Sequence, residues 1–184
     1  MLLPLIAVAC YLFGALGLGL SAYRADAHHG RGRRIAAFAI ASIGLLIHAA
    51  ALVDERRLDP YAVLSLGDTL ALVALVIAIT AVVMAVQPRR RGMAALLLGI
   101  AAVLEAAFSE GAREFSVGRP GWELAFHVAM ATTAFAFLTI GAALAMAQVV
   151  VDRQLRSRKP LGWLKILTPI ESIESGCFQS ILAG

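Results

Sequence analysis

Charged residues are scarce in this chain of 184 residues: 15% are charged, against 60% hydrophobic. This scarcity excludes a disordered chain and an ordinary water-soluble domain, because both need more polar surface. The charges that are present gather in short clusters between runs that stay apolar on all sides for 16 to 30 residues. Because about 20 apolar residues cross the ~30 Å of hydrocarbon in a bilayer, the sequence predicts transmembrane helices and lipid as a partner.

Cysteines and familiar catalytic motifs are also lacking. The chain has only two cysteines, Cys10 and Cys177. The topology below places them towards opposite membrane faces, so we expect no disulfide between them. Nowhere does the sequence contain a phosphate-binding glycine loop, an HExxH, CxxC or CxxCH motif, or a nucleophile elbow. The absence of these motifs favours a non-enzyme, and nothing in the sequence suggests a nucleic-acid partner.

Five apolar runs predict an all-α polytopic bundle with five complete transmembrane helices. Their expected ranges are about 2–23, 35–53, 61–86, 93–108 and 122–151. Four prolines fall in the connections, where they interrupt no helix: Pro60, Pro88, Pro120 and Pro160. A sixth helix would begin near the end, at Ile181. We therefore expect residues 1–184 to form one integral membrane domain, which could be part of a longer protein.

The distribution of Lys and Arg predicts the orientation. Connections 24–34, 87–92 and 152–165 carry 12 of these residues, whereas connections 54–60 and 109–121 carry 4. By the positive-inside rule the first set is cytoplasmic, so the N-terminus faces outward across what we expect to be a bacterial inner membrane. A cleavable signal peptide is rejected because its basic residues should precede the first apolar run, and here they follow it.

Ionisable side chains inside the spans are candidate functional residues, because each costs several kcal/mol in hydrocarbon unless it has a partner. There are four of interest: His48, His127, Asp68 and Glu105. Both histidines lie five residues from the outer end of their predicted helix, which places them about 7 to 8 Å below the outer interface. The two acids also lie in outer halves of their helices. The buried polar groups are therefore expected in one leaflet.

Small residues accompany both histidines at helical spacing. They are Ala37, Ala41, Gly44 and Ala51 beside His48, and Ala131, Ala134, Gly141 and Ala145 beside His127. Small residues let helices approach closely or leave room for a flat ligand. This pattern predicts an interior position for both imidazoles, although the chain is rich in alanine throughout.

Two imidazoles at matched depth are typical of axial ligands to a haem iron. Four arginines of the outer connections could pair with the haem propionates: Arg56, Arg57, Arg113 and Arg119. The alternative is that His48 and His127 are hydrogen-bonded packing residues. For Asp68 and Glu105 we expect contacts with backbone donors or water near helix ends, with a proton-relay role as the alternative.

The chain resembles the bacterial inner-membrane cytochrome c assembly family, the haem-handling superfamily of CcmC and CcsA, and in particular its HemX-like and YpjD-like branch. Three stretches carry the resemblance: LLIHAAAL around His48, FHVAMATTAFAFLTIGAALAMAQVVVDRQLRSRK from Phe126 to Lys159, and PIESIES from Pro169 to Ser175. The resemblance implies haem binding or transfer towards cytochrome c maturation proteins, with His48 and His127 as candidate ligands. Two departures limit the resemblance. The tryptophan-rich segment of the best-understood members is missing, since only Trp122 and Trp163 are present. Family members usually have about eight helices, so the resemblance implies that these residues are the N-terminal part of a longer protein.

Three rival functions remain open from the sequence. The chain could be a small-molecule or ion transporter that uses Asp68 and Glu105 as coupling acids. It could be a b-type cytochrome that carries electrons, although a second ligand pair is lacking. It could also be a packing subunit of a membrane complex, in which case neither His48 nor His127 would be needed.

Overall fold

The computed structural model describes residues 2–23, 31–58, 66–108, 122–156, 178–179 and 181–182. Five α-helices and one 3-10 turn account for the first four ranges. They are α1 Leu2–Tyr23, α2 Arg31–Leu58, α3 Leu66–Val86, the turn Pro88–Arg90, α4 Arg91–Phe108 and α5 Trp122–Arg156. No strand occurs in these ranges, which confirms the all-α class. Residues 178–179 and 181–182 have helical backbone, as expected where a sixth helix begins.

Three helices extend beyond their predicted apolar ranges, α4 by two residues at its start and α2 and α5 by more. The sequence predicted 35–53 and 122–151, whereas α2 runs from Arg31 to Leu58 and α5 continues to Arg156. Hydrophobicity marks only the part of a helix that lies in hydrocarbon, and Arg, Glu, Gln and Leu are good helix formers beyond it. In the extra turn of α5, Nε of Arg156 donates to Oδ2 of Asp152 over 2.9 Å, an ion pair four residues apart.

Four of the described helices are long and apolar enough to cross a membrane. The candidate spans are Leu2–Tyr23, Arg31–Asp54, Gly67–Ala85 and Phe126–Gln154. The chain is therefore a multi-pass membrane protein. The helix α4, which the sequence also predicted to span, has 18 residues, so it is about 27 Å long at ~1.5 Å per residue.

The first four helices form a bundle in which each packs against the next and α4 returns to α1. The helix α4 lies most deeply inside it, with Met93, Leu97 and Leu98 fully buried. The helix α5 packs mainly against α3. Large apolar side chains such as Phe13 and Leu46 cover the outside of the bundle, and lipid is the solvent that suits such a surface.

A close seam joins α1 to α2. A Cβ atom added at Gly14 would lie 2.9 Å from Cβ of Ala41, and one added at Gly17 would lie 2.6 Å from Cβ of Ala37. Real Cβ atoms do not approach so closely, so these glycines set the separation of the two helices. The residue numbers rise on α1 as they fall on α2, which shows that the helices are antiparallel.

The helix α4 is also antiparallel to α1, since Gly19 faces Ala95 whereas Tyr11 lies near Glu105. The starts of α2 and α4 therefore lie at the same end of the bundle. Both starts are basic, with Arg31, Arg33, Arg34, Arg89, Arg90 and Arg91. Partial burial, and after it the charge of Arg34, lowers the pKa of Arg91. These arginines thus lie at one end of the bundle, and the face of the membrane that this end occupies stays a prediction.

Candidate functional site

A cluster of three polar side chains lies inside the bundle, one each from α1, α2 and α4. The hydroxyl of Tyr11 lies 3.0 Å from Nδ1 of His48. On the other side of the imidazole, Nε2 lies 3.0 Å from Oε2 of Glu105. Nε2 and Oε2 are within ion-pair distance, but their geometry is not that of a hydrogen bond. The cluster therefore links three helices through one histidine.

Helical spacing explains why these side chains meet. On α2 the buried positions are Ala37, Ala41, Gly44, His48 and Ala51, at intervals of three and four residues. This is the small-residue stripe predicted from the sequence, and it faces α1. On α1 the buried positions are Ala7, Tyr11, Gly14 and Leu18. Because both stripes follow the helical period, each helix presents one face to the other.

The cluster is shielded from its surroundings. Tyr11 and His48 are 0% exposed and Glu105 is 3% exposed. The Tyr11 hydroxyl has no other hydrogen-bond partner within the described ranges, so we infer that it donates to Nδ1 of His48. Nε2 is then the ring nitrogen that faces Glu105. The ring planes of Tyr11 and His48 are tilted by 60°, with centroids 5.9 Å apart.

This arrangement does not suit His48 as an axial haem ligand. An imidazole binds iron through one ring nitrogen, which must be free of other partners. Both ring nitrogens of His48 already have partners, at 3.0 Å each. Ligation would therefore require either Tyr11 or Glu105 to move away.

His127 occupies a very different environment, in the second turn of α5, where its side chain is exposed. Its neighbours Phe126 and Met130 are 63% and 57% exposed. The buried face of α5 includes Thr132, and His127 lies five residues before it, about 140° round the helix axis. The interior position predicted for His127 is therefore not the one found. Within the part of the chain that the structure describes, no hydrogen bond or ion pair engages its ring.

The structure does not bring the two predicted ligands together. His48 faces α1 and α4, whereas His127 projects from α5, which packs mainly on α3. The pairing of His48 and His127 across one haem stays a prediction. Across residues 2–23, 31–58, 66–108 and 122–156, no group of three or more His, Cys, Asp or Glu residues could hold a metal ion.

The remaining predicted residues are distributed as follows. Arg56 and Arg57 lie in the last turn of α2, where only the backbone is described, and Arg113 and Arg119 lie outside the described residues. Asp68 lies in the first turn of α3 and is partly buried. An acid at that position agrees with the expectation of a carboxylate near a helix start. Cys10 is a free thiol, and Cys177 lies outside the described residues.

Sequence reasoning missed two polar residues, Tyr11 and Thr132. Tyr11 is the only tyrosine in the interior of an apolar run, and a buried phenol usually needs a hydrogen-bond partner, which was the available signal. Thr132 is buried on α5, and its hydroxyl has no partner among the described residues. The local sequence does not distinguish it from Thr133 and Thr139 on the same helix. The hydroxyls of those two residues donate to the carbonyls of Ala129 and Phe135.

The fold and cluster define a polytopic helical membrane protein with a polar contact buried between three helices. Comparison with protein families goes further: the family model for the cytochrome c assembly protein matches residues 5–184. The chain belongs to the cytochrome c assembly family. No curated protein matches the chain. No solved structure matches it either. The match covers the family as a whole, and the HemX-like and YpjD-like branch stays a prediction.

Proposed function

We propose that this chain binds haem at the outer half of the membrane and assists its delivery during cytochrome c assembly. Membership of the cytochrome c assembly family supports the process. The observation that carries the haem proposal is the exposed imidazole of His127, on a helix whose surrounding surface is apolar. The proposal makes the chain a binding and delivery protein, without a chemical step of its own.

His127 fits one iron ligand in three respects. Its ring is accessible, it has no competing partner within the described ranges, and its position one turn into α5 lies close to the predicted outer interface. Apolar side chains next to it, Phe126 and Met130, suit the flat face of a porphyrin. When bound, haem supplies an iron centre that accepts an imidazole nitrogen. The role of the chain is to present that nitrogen and an apolar surface.

The surroundings of the site follow from the predicted orientation. If the arginine-rich starts of α2 and α4 face the cytoplasm of a bacterial cell, the start of α5 faces the outside. Arg56 and Arg57, at the outer end of α2, and Arg113 and Arg119, in the connection before α5, remain candidates to pair with the propionates.

Absorption spectroscopy tests the proposal. The protein is purified in mild detergent, supplied with haem, and its oxidised and reduced visible spectra are compared with those of His127→Ala. A matched control is Met146→Ala, which removes an exposed side chain of the same helix, 66% exposed, far from His127. We expect a haem spectrum that His127→Ala loses or changes and that Met146→Ala keeps. Absence of bound haem in the unchanged protein would contradict the proposal.

A further inference from the structure

We propose that Tyr11, His48 and Glu105 form a polar clamp that joins α1, α2 and α4, and that His48 is a member of this clamp and not a haem ligand. That His48 is not a haem ligand rests on the proposed function. The clamp itself does not depend on haem, because it consists of contacts inside the protein.

Both ring nitrogens of His48 already have a polar neighbour. Nδ1 of His48 contacts the Tyr11 hydroxyl and Nε2 contacts Oε2 of Glu105, each at 3.0 Å. One residue thus contacts polar groups on two other helices, through a hydrogen bond to Tyr11 and an ion-pair distance to Glu105. If His48 turned towards an iron, it would leave a carboxyl group or a phenol without a partner in a shielded site, which is costly.

Space is also lacking beside His48. A Cβ atom added at Gly44, one turn below it on the same face, would lie 2.7 Å from Cβ of Cys10 and 3.2 Å from the Tyr11 ring. This seam has no room for a methyl group at that point. A porphyrin next to His48 would require α1 and α2 to separate over several turns.

The position of the clamp in the bundle also supports it. The helix α1 packs against both α2 and α4. Tyr11 from α1 and Glu105 from α4 both reach the imidazole of His48 on α2. Apolar contacts between alanine-rich helices specify rotation and depth weakly, because many registers bury similar surfaces. A hydrogen bond from Tyr11 and the approach of the Glu105 carboxyl group to the same imidazole favour one register, as polar core residues do in helical bundles.

The test combines stability with spectroscopy. Apo protein in detergent is unfolded by heat for wild type, Tyr11→Phe, His48→Gln and Glu105→Gln, and for the double variants. Glu123→Gln is the matched control, because it removes an exposed acid from the start of α5. Nitrogen-15 spectra of labelled histidine report the clamp directly. The chain has only four histidines, so His48→Gln assigns the signal of residue 48.

The clamp predicts that all three single variants lower Tm while Glu123→Gln does not. In the His48→Gln background, Tyr11→Phe and Glu105→Gln should cause little further loss, since their partner is already absent. Tyr11→Phe should shift the Nδ1 signal of His48 in protein that remains folded, which a loss of packing alone would not do. In haem-loaded protein, His48→Gln should leave the position of the reduced α-band unchanged.

Two results would overturn the clamp: additive losses of Tm in the double variants, or an Nδ1 signal that is indifferent to Tyr11→Phe. A changed α-band in His48→Gln, with apo stability equal to wild type, would instead make His48 a ligand. If wild-type protein binds no haem, the proposed function fails, while the apo measurements still decide whether the clamp exists.

Discussion

Nε2 of His48 lies 3.0 Å from Oε2 of Glu105, and the side chains are 0% and 4% exposed. Glu105→Ala removes the carboxyl group that lies beside Nε2 in this shielded site. We expect a loss of about 2 kcal/mol in unfolding free energy, because a buried polar atom loses the polar group that faces it. Glu105→Gln keeps an acceptor of the same shape and should cost less. Thermal or denaturant unfolding in detergent measures the difference, and equal losses for the two variants would argue against a polar role for the carboxyl group.

Tyr11→Phe removes a hydroxyl and keeps the ring. Because interhelical hydrogen bonds in membrane proteins contribute on average about 0.6 kcal/mol and at most about 1.7, we expect a loss within that range. Tyr23→Phe is the control, since Tyr23 is 53% exposed at the end of α1. The same unfolding assay should show no loss for the control. A Tyr11→Phe protein as stable as wild type would show that the hydroxyl does not stabilise the cluster.

The close seam between α1 and α2 predicts a strong effect for a single methyl group. Gly44→Ala would place Cβ 2.7 Å from Cβ of Cys10 and against the Tyr11 ring, so the helices must move apart. Gly99→Ala adds the same methyl group to α4, where nothing lies within 4 Å. We expect Gly44→Ala to lose about 1 to 3 kcal/mol and Gly99→Ala to lose nothing or to gain slightly from better helix propensity.

Crosslinking gives a second measurement of the same pair. Cysteines introduced across the α1–α2 seam should couple less efficiently in Gly44→Ala than in Gly99→Ala. Equal stability and equal coupling in the two variants would show that the helices are not as close as the structure places them.

We expect the protein to become more stable when the hydroxyl of Thr132 is replaced by a methyl group. Its hydroxyl is buried without a hydrogen-bond partner among the described residues, so Thr132→Val removes a desolvated group and should raise stability by about 1 kcal/mol. In Thr139→Val the lost hydroxyl donates to the carbonyl of Phe135 over 2.8 Å, and no gain is expected. The difference in Tm between the two variants tests the assignment, and a loss in Thr132→Val would indicate that this hydroxyl has a partner.

Most of the fold could be predicted from the sequence, because unbroken apolar runs indicate membrane helices. The limits of α1 agree with the prediction, and the buried stripe of α2 around His48 was read correctly from alanine and glycine at helical spacing. The ends of α2 and α5 could not be located in this way. Hydropathy locates the part of a helix that lies in hydrocarbon. Backbone hydrogen bonding continues α2 and α5 beyond that part.

The candidate site was less predictable, because depth in the membrane does not reveal which helix a side chain faces. His48 and His127 have matched predicted depths, and that match favoured a shared ligand. The structure instead places His48 between Tyr11 and Glu105 and leaves His127 on the outside of α5. Which helices are neighbours depends on tertiary packing, and the periodicity of any one helix contains no information about it.

The most direct test of the account is the reduced visible spectrum of haem-loaded protein, recorded side by side for wild type, His127→Ala and His48→Gln. If His127 binds the iron and His48 does not, the α-band is lost or displaced in His127→Ala and keeps its position in His48→Gln. A band that survives His127→Ala and disappears in a stably folded His48→Gln protein would contradict the account, because iron would then be bound inside the bundle and not at the exposed face of α5.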